Sequence, residues 1–494
     1  MIRFFLNYFL LLVLIAVSVS SCKKDDFLTD SSAKVNFSQN LILFDTVFVS
    51  TGSATQIFTV RNNNDKPVKI SSIQLATGSN SYFRLNVNGL PGKSFTNVEI
   101  GANDSIYVFV EVTIPDPGNP NTPFIIADSI LFNLNGNYQQ VNLVAWGQRA
   151  YFHHAASNTG SLFFLPCNET WTNDLPHVIY GYALVDSGCT LTIEHGTNIY
   201  SHSSSGLIVL SSGTLKVNGT LQEPVVFQGD RLGETFKDIP GQWDRVWLSN
   251  ITHSRLVNGT SEIGPGTVNS SINYAIIKNG NIGLQVDTSF SPGATTVRLD
   301  NTIIKNMSGV ALLAQGATVR SNNCVFANSG QYLTALLYGG NYHFLHCTFA
   351  NYWSQGNRTT PSIVINNYFG SSVRPIDTAY FGNCIVYGNI DGEIGVDSVY
   401  SNNPGLFNYQ FDHCIVKVSA DFSTNSGHFK SILQGTDPLF DDVANNNYKL
   451  GTTSIAIDAG LQSITDLSPV LSLDLKGDAR PQGIGPDLGA YEKR

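Results

Sequence analysis

The sequence predicts an all-β protein in two parts: a β-sandwich of short alternating strands, then a solenoid of stacked parallel strands. Three observations carry this prediction. From about Leu41 to Gln148, apolar residues alternate with polar ones in short runs separated by Asn, Gly and Pro turns. From Ser270 to Val416, one short strand motif recurs six times. After the N-terminal segment, no long stretch carries helical periodicity.

The repeat runs Asn273–Asn279 (NYAIIKN), Asp300–Asn306 (DNTIIKN), Asn322–Asn328 (NNCVFAN), Leu345–Asn351 (LHCTFAN), Gly382–Gly388 (GNCIVYG) and Asp412–Val418 (DHCIVKV). Aligned, it places Ala275, Thr302, Cys324, Cys347, Cys384 and Cys414 in one column. Ile277, Ile304, Phe326, Phe349, Val386 and Val416 fall in a second. The intervals are 27, 22, 23, 37 and 30 residues, so a short rung carries insertions of variable length. A strand that cannot bury its apolar face alone must stack on its neighbours, which makes a solenoid. Asn and Gly at the corners point to a right-handed parallel β-helix. Asn279, Asn306, Asn328 and Asn351 form a third column, where an amide caps the turn and reaches the next coil.

Taken in order, the chain opens with Arg3 and an apolar run from Phe4 to Val19. It ends in Val19, Ser20, Ser21 and Cys22, which resembles the lipobox of bacterial lipoproteins. The resemblance implies removal of residues 1–21 and a lipid on Cys22, the membrane being the implied partner. Lys23, Lys24, Asp25 and Asp26 resemble the charged tether of Bacteroidota lipoproteins, implying the outer membrane and display at the cell surface. Residues 22–40 are read as lipidated Cys and flexible tether, and 41–148 as an immunoglobulin-like β-sandwich that spaces and supports the solenoid. Residues 149–188 join the parts as linker and N-terminal cap. There His153 and His154 point to opposite faces of a strand, which suits packing and not shared metal ligation.

The β-helix is expected from Cys189 to residue 436, entering through Thr190–Gly196, Gly206–Leu210, Gly213–Gly219 and Pro224–Gly229. Residues 437–494 are expected to cap its far end, since unpaired strand edges invite aggregation. Together, about residues 160–494 resemble the pectate-lyase-like β-helix superfamily and its asparagine ladder. That fold hosts polysaccharide lyases, glycoside hydrolases, adhesins and inactive relatives, so the resemblance implies architecture more than activity.

The chain has 494 residues, only 13% charged, with a net charge of −9 and no basic cluster, which argues against a nucleic-acid partner. Of the seven cysteines, Cys324, Cys347, Cys384 and Cys414 share the inward column and read as small buried hydrophobes. They step along an axis, whereas zinc needs four sulfurs converging, so no metal site is assigned. Cys167 and Cys189 lie outside that column in an exported chain and are expected to form a disulfide.

Two functions remain open. In the first, the β-helix is a non-catalytic glycan- or partner-binding, adhesin-like module of the cell surface, the partner a polysaccharide or a surface protein. Tyr332, Tyr338, Tyr342 and Trp353 are then the rings for sugar stacking. In the second it is a polysaccharide lyase or glycoside hydrolase. The densest charged stretch then supplies Asp230, Glu234, Asp238 and Asp244 as acid–base groups or calcium ligands, with Arg231 and Arg245 to orient an anionic sugar. Lys278 and Lys305 occupy equivalent outward places. His346 and His413 replace Asn at a corner and are read as structural. No cofactor is assigned; Asp458, Asp474, Asp478 and Asp487 suit either calcium or turns and salt bridges.

Overall fold

The computed structural model describes residues 26–116, 118, 123–155, 161–288, 296–399, 403 and 405–493. The leader and Cys22 lie outside the described residues. The chain divides into two compact units at Arg149/Ala150.

Period-2 alternation builds the first unit. In Ser105–Val112, Ile106, Val108, Val110 and Val112 are buried while Tyr107 faces out. One five-stranded sheet orders Asn36–Phe37, Gln56–Arg61, Ser105–Val112, Phe83–Val87 and Leu90–Gly92, all antiparallel. A second orders Leu41–Phe48, Asn137–Gln148, Phe124–Leu134, Val68–Leu75 and Ser94–Ile100, with Leu41–Phe48 joined in parallel. Rings meet between the sheets, Phe44 with Phe83 at 5.7 Å and Phe37 with Phe132 at 4.7 Å.

The second unit is solenoid-like, built on parallel sheets of eleven and seventeen strands. Typical coils give one strand to the smaller sheet and two to the larger, which therefore has two strand columns. Gly206–Val209, Val246–Leu248 and Ile282–Asp287 stack in the first column. Thr214–Asn218, Ser270–Asn273 and Val297–Asp300 stack in the second. Val310–Asn322 and Tyr332–Leu345 run through both columns, bending where their register shifts. Ile277, Ile304, Phe326, Phe349, Val386 and Val416 stack directly on one another, all buried. The column from Ala275 to Cys414 is buried with them.

Three details differ from the sequence reading. Parallel stacking begins at Tyr151–His153, which pairs with His177–Ile179, well before Cys189. In these first coils a ring stack sits beside the aliphatic core residues Leu165, Ile179 and Ala183. His153 and His177 lie parallel at 5.1 Å, with Trp171 at 4.5 Å and 4.6 Å from them.

The asparagine ladder also extends to a second column. Amides bridge coils from Asn301 to Asn273 and from Asn323 to Asn301, both at 3.1 Å, and Asn383 meets His346 at 3.0 Å. Asn301, Asn323, His346, Asn383 and His413 sit at a corner with φ near 50°, a conformation Asn tolerates. In the expected column, Asn279 and Asn306 turn to Lys237 and Asp238, while Asn328 and Asn351 bridge neighbouring coils, accepting from Tyr352 N and Ser329 N at 3.1 Å.

The C-terminal segment lies along the side of the solenoid. Leu475, Ala490 and Tyr448 cover Val325, Ala327 and Ala350; Leu450, Ala456 and Leu488 cover Ile385 and Ile415. Adjacent residues of a strand point to opposite faces, so Ile385-Val386 and Ile415-Val416 need apolar cover on both sides. The segment supplies that cover on the outer side of the eleven-stranded sheet.

Candidate functional site

Insertions in a solenoid gather loops on one face, and here they bracket one strand. Val246–Leu248 has three residues, preceded by residues 230–245 and followed by 249–269. The second loop begins with helix His253–Asn258, capped by the Thr252 side chain on Arg255 N and by Gly259 at φ 67°. Its Leu256, with Ile251, packs on Leu184, Ile208 and Leu210, which face outward from the first column. His253 fixes the loop to Asp186 at 2.8 Å.

Beside that cluster the outer face carries a hydrogen-bonded row. Tyr182 donates to Asp244 Oδ2 at 2.8 Å, and Arg245 grips the same carboxylate at 2.9 Å and 3.0 Å. Arg245 also donates to Gln285, whose amide donates to Asp287 Oδ2 at 2.9 Å. Trp247 Nε1 reaches the same oxygen at 2.7 Å, and its ring lies 5.9 Å from the Arg245 guanidinium. Burial, then the hydrogen bond to Asp244, pushes the Tyr182 phenol up to about 12. Burial pushes the Asp287 carboxyl up as well, and its Oδ1 is buried without a partner among the described residues.

The six charged candidates engage several different partners. Asp230 pairs with His202 at 2.7 Å, and that bond raises the imidazole pKa. Arg231 lies over Phe236 at 5.2 Å, and exposed Glu234 is 3.7 Å from Lys237. Asp238 accepts from Asn306 at 3.2 Å, next to Lys278 and Lys305, whose pKa values burial lowers. Only Asp244 and Arg245 join the row, and there they neutralise each other. Charge density along the sequence marked the loop, but the loop doubles back, and its side chains find separate local partners.

Of the stacking candidates, Tyr332, Tyr338 and Trp353 are half-buried, while Tyr342 belongs to the core. Gly339 and Gly340 turn the strand inward there, and Tyr342 donates to Gly339 O at 2.7 Å. The most exposed ring nearby is Phe369, 77% exposed, which the sequence reading passed over. It sits on hairpin Tyr368–Val373, whose two-residue Gly370-Ser371 turn was the available signal.

The calcium candidates are spent on backbone groups. Asp474 accepts from Lys476 N, Asp478 N and Glu492 N, and Asp487 from Asp458 N and Lys493 N. Asp458 accepts from Gly485 N, and Asp478 pairs with Lys476. Among the described residues no group of three or more His, Cys, Asp or Glu is placed to hold a metal ion. His346 is buried against Thr465 at 2.9 Å, and His413 bonds Asp412 at 2.6 Å. Cys167 and Cys189 form a disulfide, and the four inward cysteines are free and buried.

No protein-family model matches the chain. No curated protein matches it either. Among solved structures, the catalytic domain of a GH87 alpha-1,3-glucanase in complex with nigerose aligns over 83% of this chain and 90% of its own, at 10% identity and a TM-score of 0.16. A family 123 glycoside hydrolase from Clostridium perfringens aligns over 23% of this chain and 26% of its own, at 11% identity and a TM-score of 0.17. The E. coli chaperone DraB aligns over 24% and 55%, at 9% identity and a TM-score of 0.17. Likenesses this slight carry no argument about what the chain does.

In the first unit, a hollow of about 290 Å³ is lined by Arg84, Asn86, Pro91, Lys93, Phe109 and Glu111. Exposed Tyr107 lies beside Phe109, a pair the alternation of Ser105–Val112 turns outward. Among the described residues no helix is long and apolar enough to cross a membrane.

Proposed function

We propose that this chain is an outer-membrane lipoprotein of the cell surface, held by a lipid on Cys22. Its solenoid is then a right-handed parallel β-helix serving as a non-catalytic module that binds glycan or a surface partner, with an immunoglobulin-like sandwich as spacer. One observation supports binding over turnover most directly: the carboxylates of the charged loop are bonded to separate partners, Asp230 to His202, Asp238 to Asn306, and Asp244 to Arg245 and Tyr182. A hydrolase needs two carboxylates flanking a bond, and a lyase needs a free base beside its substrate. The loops around Val246–Leu248 and the exposed ring of Phe369 suit a surface for ligand capture instead.

The second reading, a lyase or hydrolase, draws on Asp287, a buried carboxyl of raised pKa beside Arg245. A glycan panel separates the two when binding and released sugar are scored together on residues 23–494. Binding without product is expected. Product abolished by Asp287→Asn, with the fold retained, would establish the enzyme.

A further inference from the structure

On the solenoid, Arg374 has no ion-pair partner among the described residues. At the corner between the two columns of the larger sheet, Val310–Asn322 and Tyr332–Leu345 pass without insertion. Loop 249–269 lies at the same corner two coils before this floor, and hairpin Tyr368–Val373 lies in the coil after it. Arg374 comes directly after the hairpin and lays its guanidinium 4.1 Å from the centre of the Tyr338 ring. Tyr338 is held at φ 56° where its strand bends, and Phe369 packs 6.2 Å from it.

The floor is shaped for this arginine. A Cβ on Gly316 would stand 3.2 Å from Arg374 Nη1 and 3.5 Å from Thr288 O, so a side chain there would crowd the guanidinium. Thr288 in turn bonds Pro265 O at 2.6 Å, tying loop 249–269 to the same corner.

No carboxylate or other acceptor bonds the Arg374 guanidinium among the described residues. Residues 289–295 contain no acidic side chain, nor do 367–375. On neighbouring strands, Asp397 accepts from Tyr368, and Asp287 Oδ2 accepts from Trp247 and Gln285. An arginine stacked on a ring has its fork preorganised for an anion.

We propose that Arg374, on its Tyr338 platform beside Phe369, anchors an acidic saccharide. Its carboxylate or sulfate sits on the guanidinium and a sugar ring lies toward Phe369. This rests on the glycan-binding reading above and narrows it to charged sugars.

The test is calorimetric titration of residues 23–494, which contain both folded units, with three probes. They are a galacturonate hexamer for carboxylate, a carrageenan hexamer for sulfate, and maltohexaose as the neutral control. At least one acidic probe should bind, weakening with added salt, and maltohexaose should not. Arg374→Gln should weaken that binding about tenfold or more, and Arg374→Lys less, because a bidentate charge-assisted contact is lost. Phe369→Ala, at an exposed ring with no burden on folding, should weaken it too. Equal binding of neutral and acidic probes, or binding unchanged in Arg374→Gln, overturns this proposal and leaves the glycan reading standing. Binding of none of the three overturns the proposal and counts against that reading as well.

Discussion

The guanidinium of Arg480 and the carboxylate of Glu492 lie 3.2 Å apart, both wholly withdrawn from solvent. They lock the C-terminal segment onto the solenoid, since Arg480 also donates to Asn323 at 2.7 Å. Burial raises the Glu492 pKa and lowers that of Arg480, so the pair stands on its surroundings. Glu492 accepts from Gln482 N at 2.8 Å and Asp487 N at 3.0 Å.

Removing one partner strands the other charge. Glu492→Ala should therefore cost about 3–5 kcal/mol, while replacing both partners by apolar residues should cost less. Thermal melts measure the loss. Limited proteolysis should then cut residues 437–494 first, where the wild type resists.

The histidine stack predicts sensitivity to acid. His153 and His177 are held neutral, with pKa values of about 3 and about 4, chiefly by burial. Unfolded, each titrates near 6.5. Between those values the unfolded chain binds more protons, so stability is intact above pH 6.5 and falls as pH drops toward 4. Between pH 7 and 5 the loss is roughly 2 kcal/mol per histidine at most. Melts across that range should show it, and His153→Phe should flatten the slope.

Cys167 and Cys189 staple the first coils across a separation of 22 residues. Loop-closure arguments put the contribution at about 3 kcal/mol. Cys167→Ser with Cys189→Ser should lower the melting temperature by several degrees. A melt unchanged by the double substitution would remove this bond from the account of stability.

Cys324, Cys347, Cys384 and Cys414 are free and buried. The native protein should leave all of them unreacted with a thiol reagent such as DTNB, and denaturant should release the four together. Reaction of any one in the folded state would mean the core opens locally.

The stacked repeat was legible because in-register coils force like residues above one another. Its apolar columns therefore appear at fixed offsets along the chain. Lateral cover was not, although the doubled apolar pairs Ile385-Val386 and Ile415-Val416 carried the hint that both faces are dry. The site was read less well. Tyr342 looks like its neighbours Tyr338 and Tyr332 in sequence, and only the bend at Gly339 and Gly340 sends it inside.

By itself, then, the sequence determined that the chain is all-β and repeats as parallel coils, because hydrophobic periodicity is a local property that stacking must obey. It also marked the cysteine column as core. Only the tertiary structure decided which charges meet. Asp244 and Arg245 bind each other, Asp230 and Asp238 find partners elsewhere, and Arg374 has none among the described residues. Whether a charge is paired depends on side chains brought close from distant coils, and spacing along the chain does not encode that distance.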